Sequence, residues 1–346
     1  MADTKFLTND AQTRKKWSRD LFKVVLPDVE FNGLIGTGSE SIVQMKTDLG
    51  KGEGDEIKMD IRLPLTGVGR VGDDSVEGNE EKLIFKDFNM TIEELNHAVN
   101  TGGKMNEQRV PYNLMVEGKN ALQDWWADKL SDLIFAHLCG DTTFRIAGQV
   151  FAQTPSAPDS DHLMIVNGKT ETTMTPADKM GLKFLDAMKQ RARIPNNADK
   201  GFKIRPIKIK GKKYYRVILH DYVFDRLREN TNAAEWGDML RAANKLGDPL
   251  TEFVYNGMMV SKSERITQVQ DNVYRNVLLG AQSACVAWGG AGESKSTTMT
   301  FVPYTSDAKR FMNIRGGGIL GIKRTVFNDQ DYGIVVGSSY ATSLAG

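Results

Sequence analysis

The chain has 346 residues and a mass of 38.5 kDa, with 40% hydrophobic and 26% charged residues, the balance of a globular protein and not of a disordered one. A net charge of +1 excludes the uniformly basic surface of a general nucleic-acid binder, so any such contact has to be local. No run of about 18 apolar residues is present, so no membrane-spanning helix is expected.

The N-terminus, Met1 to Thr8, lacks the apolar core of a signal peptide. The 2 cysteines, Cys139 and Cys285, stand far apart, and both features favour synthesis in a reducing cytosol. Many of the 33 glycines cluster at Gly33–Gly38, Gly50–Gly78 and Gly316–Gly321, where loops are expected.

Ala11–Val25 sets Trp17, Leu21, Val24 and Val25 at helical spacing among Arg14, Lys15, Lys16, Arg19 and Lys23. It reads as a short amphipathic helix on a basic arm. Such a helix is marginal alone and needs a partner surface, either its own domain or a neighbouring subunit.

Ile57, Met59, Ile61 and Leu63 alternate with polar residues, and so do Phe88, Met90 and Ile92. The alternation predicts two strands. The connection between them carries Gly67, Gly69, Gly72 and Gly78, then Asp73, Asp74, Glu77, Glu80 and Glu81. Together they read as a long two-stranded arm with an acidic tip, and a connection of that length points to a functional loop.

Pro111 suits a first helical turn. Leu114, Met115, Leu122, Trp125, Trp126, Leu130, Leu133, Ile134 and Leu138 then recur at spacings of three and four, and Gly140 closes the run. About 28 residues make a rod of roughly 40 Å.

Further on, a helix is expected from Thr175 to Arg193, and strands at Ile204–Ile209 and Tyr214–Leu219. A short helix follows at Asp221–Arg228, helical spacing runs over Asn272–Trp288, and a closing strand is expected at Gly333–Val336. Glu93, Glu94 and His97 suit a helix start, where carboxylates favour the dipole.

Candidate chemistry is sparse. Gly289 to Ser296 resembles a phosphate loop, but Ser294 stands where glycine must precede Lys295. The glycines from Gly33 to Gly38 are not in dinucleotide-binding order. The 4 histidines, His97, His137, His162 and His220, offer no pair at ligand spacing on one helix turn. His137 with Cys139 reads as packed side chains in preference to metal ligands. Lys200–Arg216 holds Lys203, Arg205, Lys208, Lys210, Lys212, Lys213 and Arg216 and no acid. Two readings stay open for it: a solvated strand edge or a phosphate-facing strip.

The ordered set of stretches Leu63-Pro-Leu-Thr-Gly-Val-Gly, Val76-Glu-Gly-Asn-Glu-Glu-Lys-Leu, Gln108-Arg109, Val254-Tyr-Asn-Gly-Met-Met-Val, Leu278-Leu-Gly-Ala-Gln-Ser-Ala and Asp331-Tyr-Gly-Ile-Val-Val resembles the major capsid proteins of tailed phages related to coliphage N-four. The resemblance spans nearly the whole chain. It implies an α+β, Hong Kong 97-like capsid fold with an N-arm, an extended E-loop, a spine helix in a peripheral domain, and an axial domain. The corresponding divisions are 1–32 for the N-arm, 33–110 for the E-loop region, and 111–170 for the peripheral domain with its spine helix at 111–139. The axial domain then takes 171–290, and 291–346 returns to the peripheral domain.

The function implied is a structural subunit that assembles with itself, as hexamers and pentamers, into the icosahedral head of a double-stranded DNA phage. A cellular protein-compartment shell of the same fold is the alternative. A small-molecule enzyme using the Gly289–Lys295 loop is a more distant one.

No catalytic, cofactor-binding or metal-ligating residue is implied. Gly67, Gly69, Asp73, Asp74, Glu77, Glu80 and Glu81 are the expected assembly residues of the E-loop tip. Leu122, Trp125, Trp126, Leu130 and Leu133 are the expected core of the spine helix. Arg14, Lys15, Lys16 and Arg19, or else Lys208, Lys210 and Lys212, are the candidates to face packaged DNA by non-specific contact. Further expected partners are a separate scaffolding protein, since Met1 directly precedes the arm, a portal, and a decoration or cement protein. The expected location is the virion, after synthesis in the host bacterial cytoplasm, with no membrane contact.

Overall fold

The computed structural model describes residues 33–46, 54–62, 65, 67–72, 74–111, 113–195, 203–248, 250–290, 300–327 and 329–344. The basic helix expected at Ala11–Val25 and the segment from Ala291 to Ser296 lie outside them. The described residues form two compact units, one of 96–127 and 300–317, the other of 33–95, 128–290 and 318–344. Helices and sheets are mixed along the chain.

In the smaller unit, Thr300–Ser306 pairs antiparallel with the first half of Phe311–Arg324, from Thr300 opposite Gly317 to Ser306 opposite Phe311. Asp307, Ala308 and Lys309 close this hairpin with φ of 48°, 49° and 68°. The strand Glu93–Gly103 runs beside it, tied by Thr101 Oγ1 donating to the Met312 carbonyl at 2.9 Å and by Arg315 Nε donating to Asn96 Oδ1 at 2.9 Å. The helix start expected at Glu93 is therefore a strand. Leu95, His97, Val99 and Thr101 follow a period of two, and Glu93 accepts the Ala152 N–H at 2.6 Å instead of serving a dipole.

Helix α1 is Lys104–Arg109, and α2 is Leu114–Cys139. Asn113, not Pro111, starts α2, its Oδ1 accepting from the N–H of Met115 at 2.9 Å. Gly118 lets the helix approach its sheet, for a Cβ there would lie 3.2 Å from Thr101 Cγ2 and 3.4 Å from Ile314 Cγ2.

In the larger unit α2 is buried nearly all round, with Ser131 and every residue from Leu133 to Cys139 inaccessible. A helix apolar on all sides is one that the core surrounds. It ends at Gly140, whose φ is +70°, with the Asp141 N–H returning to the Ala136 carbonyl at 2.9 Å in the Schellman pattern. Arg275 donates to the Gly140 carbonyl at 2.8 Å and to Glu171 Oε1 at 2.7 Å, covering the carbonyl end of the helix.

The main sheet of this unit runs in the order Leu163–Ile165, Ile334–Tyr340, Val273–Leu279, Lys212–Leu219, Met258–Lys262, Phe253–Tyr255. A second sheet sets Val43–Lys46 parallel to Ala284–Gly289, which in turn pairs antiparallel with Ile319–Arg324. The stretch expected as helical, Asn272–Trp288, is thus two strands, Val273–Leu279 and Ala284–Gly289. Both are buried on both faces, and a strand of that kind carries a continuous apolar run that mimics helical spacing.

Helix α3 is Leu182–Arg193, shorter than expected. Thr175 instead belongs to a turn in which Asp178 accepts from the Thr175 N–H and Oγ1, each at 2.7 Å. Lys169, Asn167 and Thr175 hold that carboxyl well below the usual range. Helix α4 is Asp221–Asn230. Helix α5, Ala233–Leu246, was not foreseen. Asn232 caps α5, and Phe224, Trp236 and Phe253 join α4, α5 and the sheet with ring centroids 5.0–5.7 Å apart.

Candidate assembly surfaces

The arm is a hairpin of Glu56–Arg62 against Phe85–Thr91, in register from Glu56 opposite Thr91 to Arg62 opposite Phe85. Its base is anchored, because Ile57, Phe88 and Met90 pack with Cys285, Ala287 and Phe327 in one buried cluster. Beyond Arg62 no helix or strand occurs among the described residues until Phe85. Short bonds hold the loop's own shape. The Gly67 N–H donates to Glu81 Oε2 at 2.7 Å, the Gly78 N–H to Glu80 Oε2 at 2.9 Å, and Arg70 to Asn79 Oδ1. Gly69, Gly72 and Gly78 all have positive φ.

Of the expected tip residues, Gly67, Gly69, Asp74, Glu77, Glu80 and Glu81 are all exposed on this loop, and Asp73 lies outside the described residues. Glu80 and Glu81 spend a carboxylate oxygen on the loop's own backbone. What the sequence reading missed is apolar. Leu65, Val68, Val71, Val76, Leu83, Ile84 and Phe85 are each more than half exposed, Val68 at 103% and Val71 at 87%. The signal is present in Gly67-Val-Gly-Arg-Val-Gly, where the valines stand among glycines in a loop. An exposed apolar series of this density is the kind of surface an interaction site presents.

In the spine helix, Leu122, Trp126, Leu130 and Leu133 are buried, and Trp126 is fully so. Trp125 is half-buried, stacked on His97 at 4.5 Å between centroids and edge-on to Trp126 at 5.5 Å. Trp126 Nε1 has no hydrogen-bond partner and would lie 3.0 Å from a Cβ at Gly316.

The basic candidates near the N-terminus, Arg14, Lys15, Lys16 and Arg19, lie outside the described residues. The other tract does not act as one face. Lys208 is exposed opposite Lys213, whereas Lys212 pairs with Ile209 on the other side of the ribbon. Lys210 sits in the turn, at φ 49°, and its Nζ donates to the Leu246 carbonyl at 2.7 Å, capping α5. Arg216 is buried against Asp248 at 2.6 Å and Thr251 at 2.8 Å, so it belongs to no phosphate-facing strip.

Asp159, His162 and Asp331 bring ligand-type atoms within 4.8 Å of one another, but the oxygens are already in use. Asp159 accepts the N–H groups of Asp331 at 2.6 Å and His162 at 2.7 Å, and His162 Nδ1 lies 2.8 Å from its Oδ2. The Arg324 guanidinium, 2.8 Å from Asp331 Oδ1, supplies the positive charge a metal would bring. Burial pushes the Asp331 carboxyl up to about 6 against the pull of Arg324. His137 and Cys139 are both buried, with the imidazole lowered to about 3 by burial and Arg324 and the thiol raised to about 11 by burial. Both side chains are packed into the core. The strand Ala284–Gly289 directly precedes the glycine-rich segment, as in a phosphate loop, yet Ser294 still holds the position glycine must fill.

The sequence pattern of a family described as phage capsid protein matches residues 5–343. The chain belongs to the phage capsid protein family. Its role is structural, and the family favours a phage head over a cellular compartment or an enzyme. A curated relative, the major capsid protein of Pseudomonas phage KPP25, is 29% identical over 151 residues, 43% of this chain and 40% of that protein. Among solved structures, the capsid of Ralstonia phage GP4 has a TM-score of 0.86 at 24% identity, over 99% of each chain. The cyanophage Pam1 capsid has 0.75 at 20%, again over 99% of each. The head of Helicobacter pylori bacteriophage KHP40 has 0.70 at 16%, over 96% of each. The fold is the Hong Kong 97-like capsid fold, and the capsid protein's place is the virion.

Proposed function

We propose that this capsid protein is the major, non-enzymatic shell subunit of a tailed-phage head, assembling with copies of itself as hexamers and pentamers around double-stranded DNA. The observation that carries this reading is the apolar arm, anchored at its base and bare beyond it. Leu65, Val68, Val71 and Val76 rest on a neighbouring copy. Asp74 and Glu77 set the orientation of that contact more than its strength. In this reading the segments 1–32, 33–110, 111–170, 171–290 and 291–346 act as N-arm, E-loop region, peripheral domain, axial domain and return to the peripheral domain. Synthesis takes place in the host cytoplasm. A scaffolding protein, a portal and a decoration protein complete the head.

The test is deletion of Gly67–Gly78. The deleted chain keeps the hairpin base and folds, but forms no closed shell in electron micrographs. Normal particles from the deletion would remove the arm from assembly.

A further inference from the structure

Within the larger unit a cavity of about 450 Å³ is lined by Lys189, Arg193, Lys203 and Lys213 above a floor that includes Ile204 and Tyr215. Lys189 and Arg193 stand one turn apart on α3, Lys213 is on the strand Lys212–Leu219, and Lys203 is on the segment leading into Ile207–Ile209. The floor is fixed by the Tyr215 hydroxyl donating to the Ile204 carbonyl at 3.0 Å.

Among the described residues, no carboxylate lines this space. The nearby Asp186 is engaged elsewhere, accepting from the Tyr255 hydroxyl at 2.7 Å and from Asn256 Nδ2 at 2.8 Å. Lys189 donates to Asn256 Oδ1 at 3.0 Å. Burial first, and then the neighbouring Arg193, lower its affinity for a proton against the pull of Asp186, so here burial and like charge outweigh the nearby carboxylate. Like charges held together in this way are relieved when an anion enters. The volume falls within the range of small-ligand sites, ~300–1,000 Å³.

We propose that this cavity binds phosphate groups, supplied either by a nucleic-acid backbone or by a free polyphosphate. The site does not require the shell reading, and it differs from the lysines of the sequence strip, of which it takes Lys203 and Lys213 and leaves Lys208, Lys210 and Lys212. A carboxylate-bearing occupant, the acidic loop of a second copy, fits less well. Glu80 and Glu81 already serve that loop's backbone, and its exposed valines need an apolar partner, which a rim of cations does not offer.

The experiment titrates full-length protein with inorganic tripolyphosphate, and separately with a short DNA duplex of mixed sequence. It compares wild type with R193Q/K213Q and with K183Q/K245Q, which removes the same charge from exposed positions outside the cavity. Circular dichroism checks the fold, and K203Q is a second, single-site variant. Saturable binding is expected, weakened about tenfold or more by R193Q/K213Q, as loss of charge-assisted hydrogen bonds implies, and weakened by K203Q, but nearly unchanged in K183Q/K245Q. Competition between duplex and tripolyphosphate identifies the nucleic-acid backbone as the source, and tripolyphosphate binding without duplex binding identifies a free polyphosphate. Equal loss in both double variants, no saturable binding by wild type, or displacement only by a peptide of residues 74–81 would overturn the proposal.

Discussion

Trp125 and Trp126 are adjacent, yet their removal has different consequences. Trp126 is fully buried, so Trp126→Ala is expected to cost about 3–5 kcal/mol of stability. Trp126→Phe costs much less, because the indole N–H has no partner to lose. Trp125 is half-buried and stacked on His97, which makes Trp125→Ala worth about 1 kcal/mol. Urea unfolding of the three variants checks this, and equal losses at both positions would contradict the packing described.

Two buried histidines set an acid limb. His137 is lowered to about 3 by burial and Arg324, and His220 to about 4 by burial. The unfolded chain therefore binds protons that the native one refuses between about pH 6.5 and pH 4, and stability falls as pH drops through that window. Asp331, raised to about 6, acts in the opposite sense, gaining stability as pH falls from about 6 towards 4. Replacing His220 by Asn removes one titration while keeping a capping acceptor for the Tyr222 N–H. The difference in stability between pH 7.5 and pH 5 should shrink by on the order of 1–2 kcal/mol in that variant. An unchanged difference would show that His220 is protonated in the native state.

Of the elements, the arm was the most legible. Ile57, Met59 and Ile61 alternate cleanly because one face of the hairpin base meets a core and the other meets solvent. Helix α2 is legible from its spacing, but Pro111 is a misleading start signal, because the side-chain acceptor of Asn113 decides where the helix begins. Asn272–Trp288 failed for the reason the arm succeeded. A strand covered on both faces loses the alternation that identifies strands, and Val277, Leu278, Ala281 and Ala284 then fit a helical template by chance. Arg216 read as one more charge in a basic run, because its partners Asp248 and Thr251 lie more than thirty residues away. The basic cavity was legible only in part, for Lys203 and Lys213 stand in the basic run, but nothing in the spacing brings Lys189 and Arg193 of α3 to them. The expected effect of the arm's apolar side chains is specific to assembly. Changing Val68, Val71 and Val76 together to Ser should leave monomer melting nearly unchanged, since they touch little in the single chain, while shell yield collapses. Shells at normal yield would show that their exposure has no assembly role.

In the proposed head, a net charge of +1 per chain confines any contact with DNA to basic tracts, and phosphate contact needs only positive side chains facing inward. Neutralising Arg14, Lys15 and Lys16 together is expected to weaken genome retention on heating more than neutralising Lys208, Lys210 and Lys212. The latter set should also lower subunit stability, because Lys210 caps α5. Equal or reversed effects on heat release would defeat the ranking. The shell itself is tested by electron microscopy of the purified full-length protein at high concentration. Closed, regular shells that disappear when Gly67–Gly78 is deleted are the expected result, and a strictly monomeric wild-type protein would contradict the assembly role assigned to the arm.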